Sequence, residues 1–197
     1  GGFGLGCREF GRTLSRNGDA EGALAQYERG CELGSGVACR QVALTNEDGA
    51  AFERAAKLLQ DECDAGELRS CVALGESYWN GQGVDADKEQ ARRLHVAACD
   101  GGLALGCFLA WPADETAALE LMAKACRGGH PEGCTAEGEL VAKTDAAKAL
   151  ERYRIGCERG DPRGCLEVGK AEGDSAEAAK IFEELCTDGY APGCGAL

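Results

Sequence analysis

The chain has 197 residues, with 34 acidic against 21 basic side chains and a formal net charge of −13. That balance argues against a nucleic-acid partner, which needs a basic surface, and against an electrostatic anchor on anionic lipid. Hydrophobic residues make up 44% but aromatics only 6%, so one large core of bulky side chains is not expected, and no run approaches the ~20 apolar residues of a membrane helix.

Read from the amino terminus, the chain repeats one unit. Of thirteen cysteines, twelve form pairs spaced C-x7-C: Cys31–Cys39, Cys63–Cys71, Cys99–Cys107, Cys126–Cys134, Cys157–Cys165 and Cys186–Cys194. Their first members lie 27 to 36 residues apart, a period that marks an array of one supersecondary unit. Disulfides are preferred over zinc here. Zinc cysteines usually stand about two to four residues apart, and only His95 and His130 could assist them. A disulfide framework implies an oxidising compartment: periplasm, cell surface or exterior.

The approximate units are 7–34, 39–66, 71–102, 107–129, 134–160 and 165–189, with 190–197 opening another, in a single array over 1–197. In the first, Cys7 opens a helix with Gly11 four residues on. Asp19 caps a second helix, on which Ala23, Tyr27 and Cys31 share one face, and Gly34 stops it. The second unit repeats this with Ala43, Ala55, Leu59, Cys63 and Gly66. Ala51 takes the place of its capping aspartate, so Asp48 or Gly49 begins that helix. The third has the longest first helix, through Gly75, Tyr78 and Trp79, and then Asp87, Ala91, His95, Cys99 and Gly102. The fourth has the shortest, stopped by Pro112. Trp111 stands there where a small residue is usual, placed to fill the space of the missing turns. Asp114, Ala118, Met122, Cys126 and Gly129 follow. The fifth carries Gly138, Asp145, Ala149, Tyr153, Cys157 and Gly160, and the sixth Gly169, Asp174, Ala178, Phe182, Cys186 and Gly189. Each bridge therefore staples the end of one helix to the start of the next. Cys7 has the surroundings of a second cysteine whose partner would precede Gly1. With Cys194 opening a further unit, the array reads as truncated at both ends. The alternative is a complete chain whose unpaired Cys7 bonds another molecule.

Little in the sequence carries chemistry. His95 occupies a position held elsewhere by Tyr, Leu, Met or Phe, and His130 follows a turn glycine in what reads as a solvated turn. None of the five serines starts an S-x-x-K motif, and no H-E-x-x-H, Walker loop or EF-hand run is present. Asp85-Ala86-Asp87 is explained by helix capping. No catalytic residue, metal site or cofactor is assigned. The partner-binding candidates are Phe108, Leu109 and Trp111 on the stunted helix, and Tyr78 and Trp79 on the longest.

From Ala73 to Cys99 the chain resembles a Sel1-like repeat, with Leu74, Gly75, Tyr78, Gly81, Gly83, Val84, Asp87 and Ala91 in register. The paired cysteines resemble the cysteine-rich branch typified by the Helicobacter cysteine-rich proteins. The resemblance implies a right-handed α/α solenoid of disulfide-bridged helix pairs, exported from a bacterium, that mostly binds other proteins. The expected function is an exported, non-enzymatic interaction scaffold for a protein, peptide or cell-wall fragment. The alternatives are a weak penicillin-binding or β-lactamase-like hydrolase, by family analogy alone, and a structural array that self-associates through uncapped ends.

Overall fold

The computed structural model describes residues 2–110 and 115–196. Among them are thirteen helices and no strand: α1 Gly2–Arg16, α2 Ala20–Glu32, α3 Gly36–Asn46, α4 Gly49–Asp64, α5 Leu68–Asn80, α6 Lys88–Asp100, α7 Ala104–Leu109, α8 Glu115–Arg127, α9 Pro131–Val141, α10 Ala146–Glu158, α11 Pro162–Glu172, α12 Ala176–Thr187 and α13 Ala191–Cys194. They form two compact units, Gly1–Gly101 with α1–α6 and Gly102–Leu197 with α7–α13. In the first, α1 pairs with α2, α3 with α4 and α5 with α6. In the second, α7 pairs with α8, α9 with α10 and α11 with α12. First helices also touch the first helices of neighbouring pairs, α1 with α3, α3 with α5 and α9 with α11.

Local sequence sets the helix ends. Asp19 accepts the Gly22 amide, Asp48 those of Ala50 and Ala51, Asp87 those of Glu89 and Gln90, and Asp145 that of Lys148. Asp48 thus begins α4 in place of Ala51. Asp174 is not a cap. Ser175 takes that role, accepting the Ala178 amide at 3.0 Å, because the chain enters α12 one residue later than the aspartate spacing predicts. Asp114 lies outside the described residues. The first helices start three residues before their cysteines, not at them. Caps at Ser35, Glu67 and Asp161 place Cys39, Cys71 and Cys165 on the fourth helical residue.

Every second helix of a pair ends in the same turn. At Gly66, φ is +91°, a conformation that costs an L side chain about 1 kcal/mol or more, and the five equivalent glycines lie between +82° and +95°. Around it the Glu67 amide donates to the Glu62 carbonyl and the Gly66 amide to the Cys63 carbonyl, the two hydrogen bonds of a Schellman motif. This tight reversal brings Cα atoms of Cys31–Cys39, Cys63–Cys71, Cys126–Cys134, Cys157–Cys165 and Cys186–Cys194 to 4.4–4.7 Å, and each of these pairs is bridged. Cys99 and Cys107 are disulfide-bonded as well, and Cys7 is a free, half-buried thiol. Each short loop contributes about 2–3 kcal/mol on the chain-entropy account.

Within a pair, the helices meet where one of them has no side chain. A Cβ added to Gly11 would lie 2.8 Å from the Tyr27 ring, one on Gly75 2.5 Å from His95, one on Gly138 2.6 Å from Tyr153, and one on Gly169 2.5 Å from Phe182. One turn away, Ala23, Ala55, Ala91, Ala118, Ala149 and Ala178 are all buried. A ring or imidazole therefore seats on bare backbone, flanked by methyl groups. Larger side chains gather in two small clusters, around Leu59 and Leu74 in the first unit and around Leu166, Phe182 and Leu185 in the second.

One pair sets two opposite charges in this apolar row. At the positions held by Val42 and Leu58, Leu74 and Leu94, and Val168 and Ile181 in other pairs, α9 and α10 carry Glu137 and Arg152. The Glu137 side chain is only 6% exposed, 3.3 Å from the Arg152 guanidinium and 3.7 Å from Lys148. Removing one partner of such a buried pair costs more than replacing both with apolar groups.

Stability measurements on three single variants and one double variant test this packing. Gly138→Ala is expected to lose about 1–3 kcal/mol in denaturant unfolding by displacing Tyr153. Gly6→Ala, on a helix with nothing within 4 Å of the new methyl, is expected to gain about 0.5–1 kcal/mol. Arg152→Leu is expected to lose about 1–3 kcal/mol by leaving the buried Glu137 to Lys148 alone, and the double variant with Glu137→Leu to regain at least wild-type stability.

Candidate interaction surface

Helix α5 carries the most exposed part of the candidate surface. At 13 residues it is shorter than α1 at 15, because Gly81 ends it and the rest of the long segment before Asp87 is loop. Tyr78 turns inward and packs, half-buried, on the Leu59–Leu74 cluster beside Val84. The next residue points about 100° away around the helix. Trp79 is accordingly 39% exposed, with the Lys88 ammonium 5.1 Å over its ring. Gly81 ends the helix in the left-handed conformation at φ +67°. The loop then passes so close to α4 that a Cβ on Gly83 would fall on the Phe52 carbonyl.

A polar network not foreseen from the sequence holds this helix end. Arg40 on α3 is 7% exposed. Its guanidinium lies 2.9 Å from the Glu76 carboxylate and donates to Gln82 Oε1 at 3.2 Å. Asn80 donates to the Glu76 carbonyl. Arg40 thus ties one first helix to the end of the next and to its following loop. The available signal was the arginine repeated after the cysteine in consecutive units, Arg8 after Cys7 and Arg40 after Cys39, both buried.

In the second unit, Phe108 on α7 is half-buried, its ring stacked on His130 at 4.6 Å between centroids and 18° between planes. His130 is not solvated as the turn position suggested. Its side chain is 16% exposed, with Nδ1 3.1 Å from Glu132, because the stunted α7 leaves Phe108 to cover it. Leu109 is half-buried. Trp111, the remaining candidate, lies outside the described residues. Tyr78 and Trp79 belong to the first compact unit, and Phe108 and Leu109 to the second.

The side chains that could do chemistry have structural duties. Ser35 and Ser175 cap helices, Ser77 donates to the Ala73 carbonyl, and Ser70, fully buried, donates to Glu62 at 2.6 Å. His95 is buried against Gly75. Burial raises the hydroxyl pKa of both Tyr27 and Tyr153, which keeps them protonated at neutral pH. A hydrogen bond from Arg92 lowers the carboxyl pKa of Glu89 on the open face of α6. Among the described residues, no group of three or more His, Cys, Asp or Glu is placed to hold a metal, and no helix is long and apolar enough to cross a membrane.

The arrangement of consecutive helix pairs is shared with known structures. A Sel1 repeat protein from Oxalobacter formigenes superposes with a TM-score of 0.66 at 19% identity, covering 92% of this chain and 84% of its own. The chain has the Sel1-repeat fold. A protective antigen present in uropathogenic Escherichia coli strains, described as displaying an SLR fold, superposes with a TM-score of 0.65 at 20% identity over 96% of this chain. This chain spans 47% of that protein's length. No protein-family model and no curated protein matches the sequence.

Arg40 and Trp79 differ in burial, and so in consequence. Arg40→Ala is expected to lose about 2–3 kcal/mol in thermal or denaturant unfolding, since it removes a buried cation from Glu76 and Gln82. Trp79→Ala is expected to lose less, about 1 kcal/mol, since the ring is 39% exposed and gives up its covered part and the Lys88 contact.

Proposed function

We propose that this chain is an exported, non-enzymatic scaffold that binds a protein or peptide partner on its helical surface. The observation that carries the reading is the covalent fixing of the turns. A bridge across each Schellman reversal holds the helix pairs in place whether or not a ligand is present, so a partner meets a surface already ordered. Preorganisation of this kind lowers the entropy cost of association. Trp79, exposed at the end of α5, is the type of side chain on which binding energy concentrates.

The same bridges support export. Disulfides persist in oxidising compartments and are rare in reducing ones, so a periplasmic, secreted or cell-surface setting supports this structure. The hydrolase reading draws nothing from the geometry. The Ser70 hydroxyl is fully buried and is spent on Glu62, and the other described hydroxyls with assigned partners serve backbone groups.

The test is an unbiased selection. The oxidised chain, immobilised, is presented with a displayed library of random dodecapeptides. Peptides binding it with dissociation constants below about 10 μM are expected, and binding should fall at least tenfold to the chain after reduction and alkylation. Failure to enrich any peptide, or turnover of a reporter cephalosporin by chain of verified purity, would overturn the reading.

A further inference from the structure

In the first compact unit a cleft of about 240 Å³ opens between consecutive Schellman turns, lined by Leu5, Leu33, Gly34, Ser35, Ala65, Glu62 and Glu67. It stays open because the two positions that meet at the equivalent turns do not close on each other here. At the corresponding place one turn further on, Leu68 closes over Gly101, coming within 2.7 Å of where a Cβ would stand. In the second unit Ala104 likewise lies against Gly128, at 2.6 Å. Here the two positions carry Gly36 and Ala65. A side chain on Gly36 is also forbidden, since its Cβ would stand 2.6 Å from the Leu59 amide nitrogen of α4. The cleft therefore follows from the close approach of α3 to α4, and no residue of the unit fills it.

Its lining is chemically divided. Leu5 and Leu33 are apolar side chains left 36% and 47% exposed at one end. Glu62 and Glu67 stand at the other. Glu62 is held rigidly, its Oε1 accepting the Gly36 amide at 3.1 Å and its Oε2 the Ser70 hydroxyl at 2.6 Å. A carboxylate has about four acceptor sites, so two donors leave it half-satisfied. Glu67 accepts the Arg69 amide through one oxygen at 3.4 Å. The ends of α2 and α4 bring carbonyls to the cleft and the starts of α3 and α5 bring amides, so the helix dipoles offset and the carboxylates set the charge. No lysine or arginine lines it.

We propose that this cleft receives a basic side chain, arginine or lysine, from a partner protein. The aliphatic stem lies between Leu5 and Leu33, and the charged head meets Glu67 and the open side of Glu62. A purely apolar side chain would strip water from two carboxylates with nothing in return. A long basic side chain matches both halves of the cleft, since its stem is apolar and its head is charged. The chain's net charge of −13 attracts such a partner over distance.

The proposal rests on the scaffold reading, and one experiment separates the two. Peptides enriched by the selection described above are measured against wild type, Ala65→Leu and Glu67→Gln, each checked for unaltered helicity and melting. Ala65→Leu fills the cleft without changing charge, and Glu67→Gln removes charge without filling it. The expected result is enrichment of peptides with Arg or Lys beside apolar residues, binding at least tenfold weaker to each variant and weaker again at 0.5 M salt. Substituting norleucine for the basic residue should also weaken binding at least tenfold. Enriched peptides that bind both variants like wild type would overturn the cleft and leave the scaffold standing. Equal binding of the norleucine peptide would overturn the basic occupant. Self-association lost in Ala65→Leu, with no enriched peptide dependent on the cleft, would make a second copy the occupant and overturn a foreign one. If Ala65→Leu fails to fold, Glu67→Gln and the norleucine peptide still decide.

Discussion

The contact on which the rest depends is a ring or imidazole seated on bare backbone. Tyr27 on Gly11, His95 on Gly75, Tyr153 on Gly138 and Phe182 on Gly169 set how closely the helices of a pair approach. At that distance the flanking face must be alanine, and alanines occupy it in every pair. A chain poor in aromatics can therefore still build a dense interior, because each ring is used at a point where it meets backbone on the opposite helix. The cost is sensitivity. A single methyl on any of these glycines meets a ring with no free space behind it.

Close pairing alone would leave short helix hairpins with thin cores. The turn between pairs supplies what the cores lack. A glycine in the left-handed region reverses the chain within a few residues and brings the last turn of one helix beside the first turn of the next. At that separation a disulfide spans the Cα atoms without help from any other group. Its effect is largely on the unfolded chain, whose freedom it limits. The native turns remain open to solvent on one side, and between two of them the first unit keeps a cleft.

Polar groups enter this apolar plan at a few places. Glu137 and Arg152 replace a hydrophobic pair and contribute little net stability, while disfavouring any register that separates them. Arg40 gathers Glu76 and Gln82 and fixes the loop after α5, and Trp79 projects from the residue between. Phe108 covers His130 where α7 is too short to do otherwise. Except for Arg152 on α10, these departures fall on first helices and turns.

Much of this was legible in the residues. The C-x7-C spacing, the glycine three residues after each first cysteine, and the alanines eight before it are local signals with local causes, and they determined the helix pairs, the bridged turns and the all-α repeat. Capping followed the same logic wherever the aspartate sat at the true helix start, and missed at Asp174 because Ser175 is one residue nearer. The surface was not legible in this way. That Tyr78 faces in and Trp79 out could be read only once α5 met its neighbours. The Arg40 network joins residues 36 and 42 positions apart in sequence, and the stacking of His130 on Phe108 crosses a full unit. The cleft beside Glu62 depends on how near α3 lies to α4. Short-range patterns determine which helices form and where they turn. The packing of one pair on the next decides which side chains remain on the outside, because burial is a property of neighbours that the local sequence does not contain.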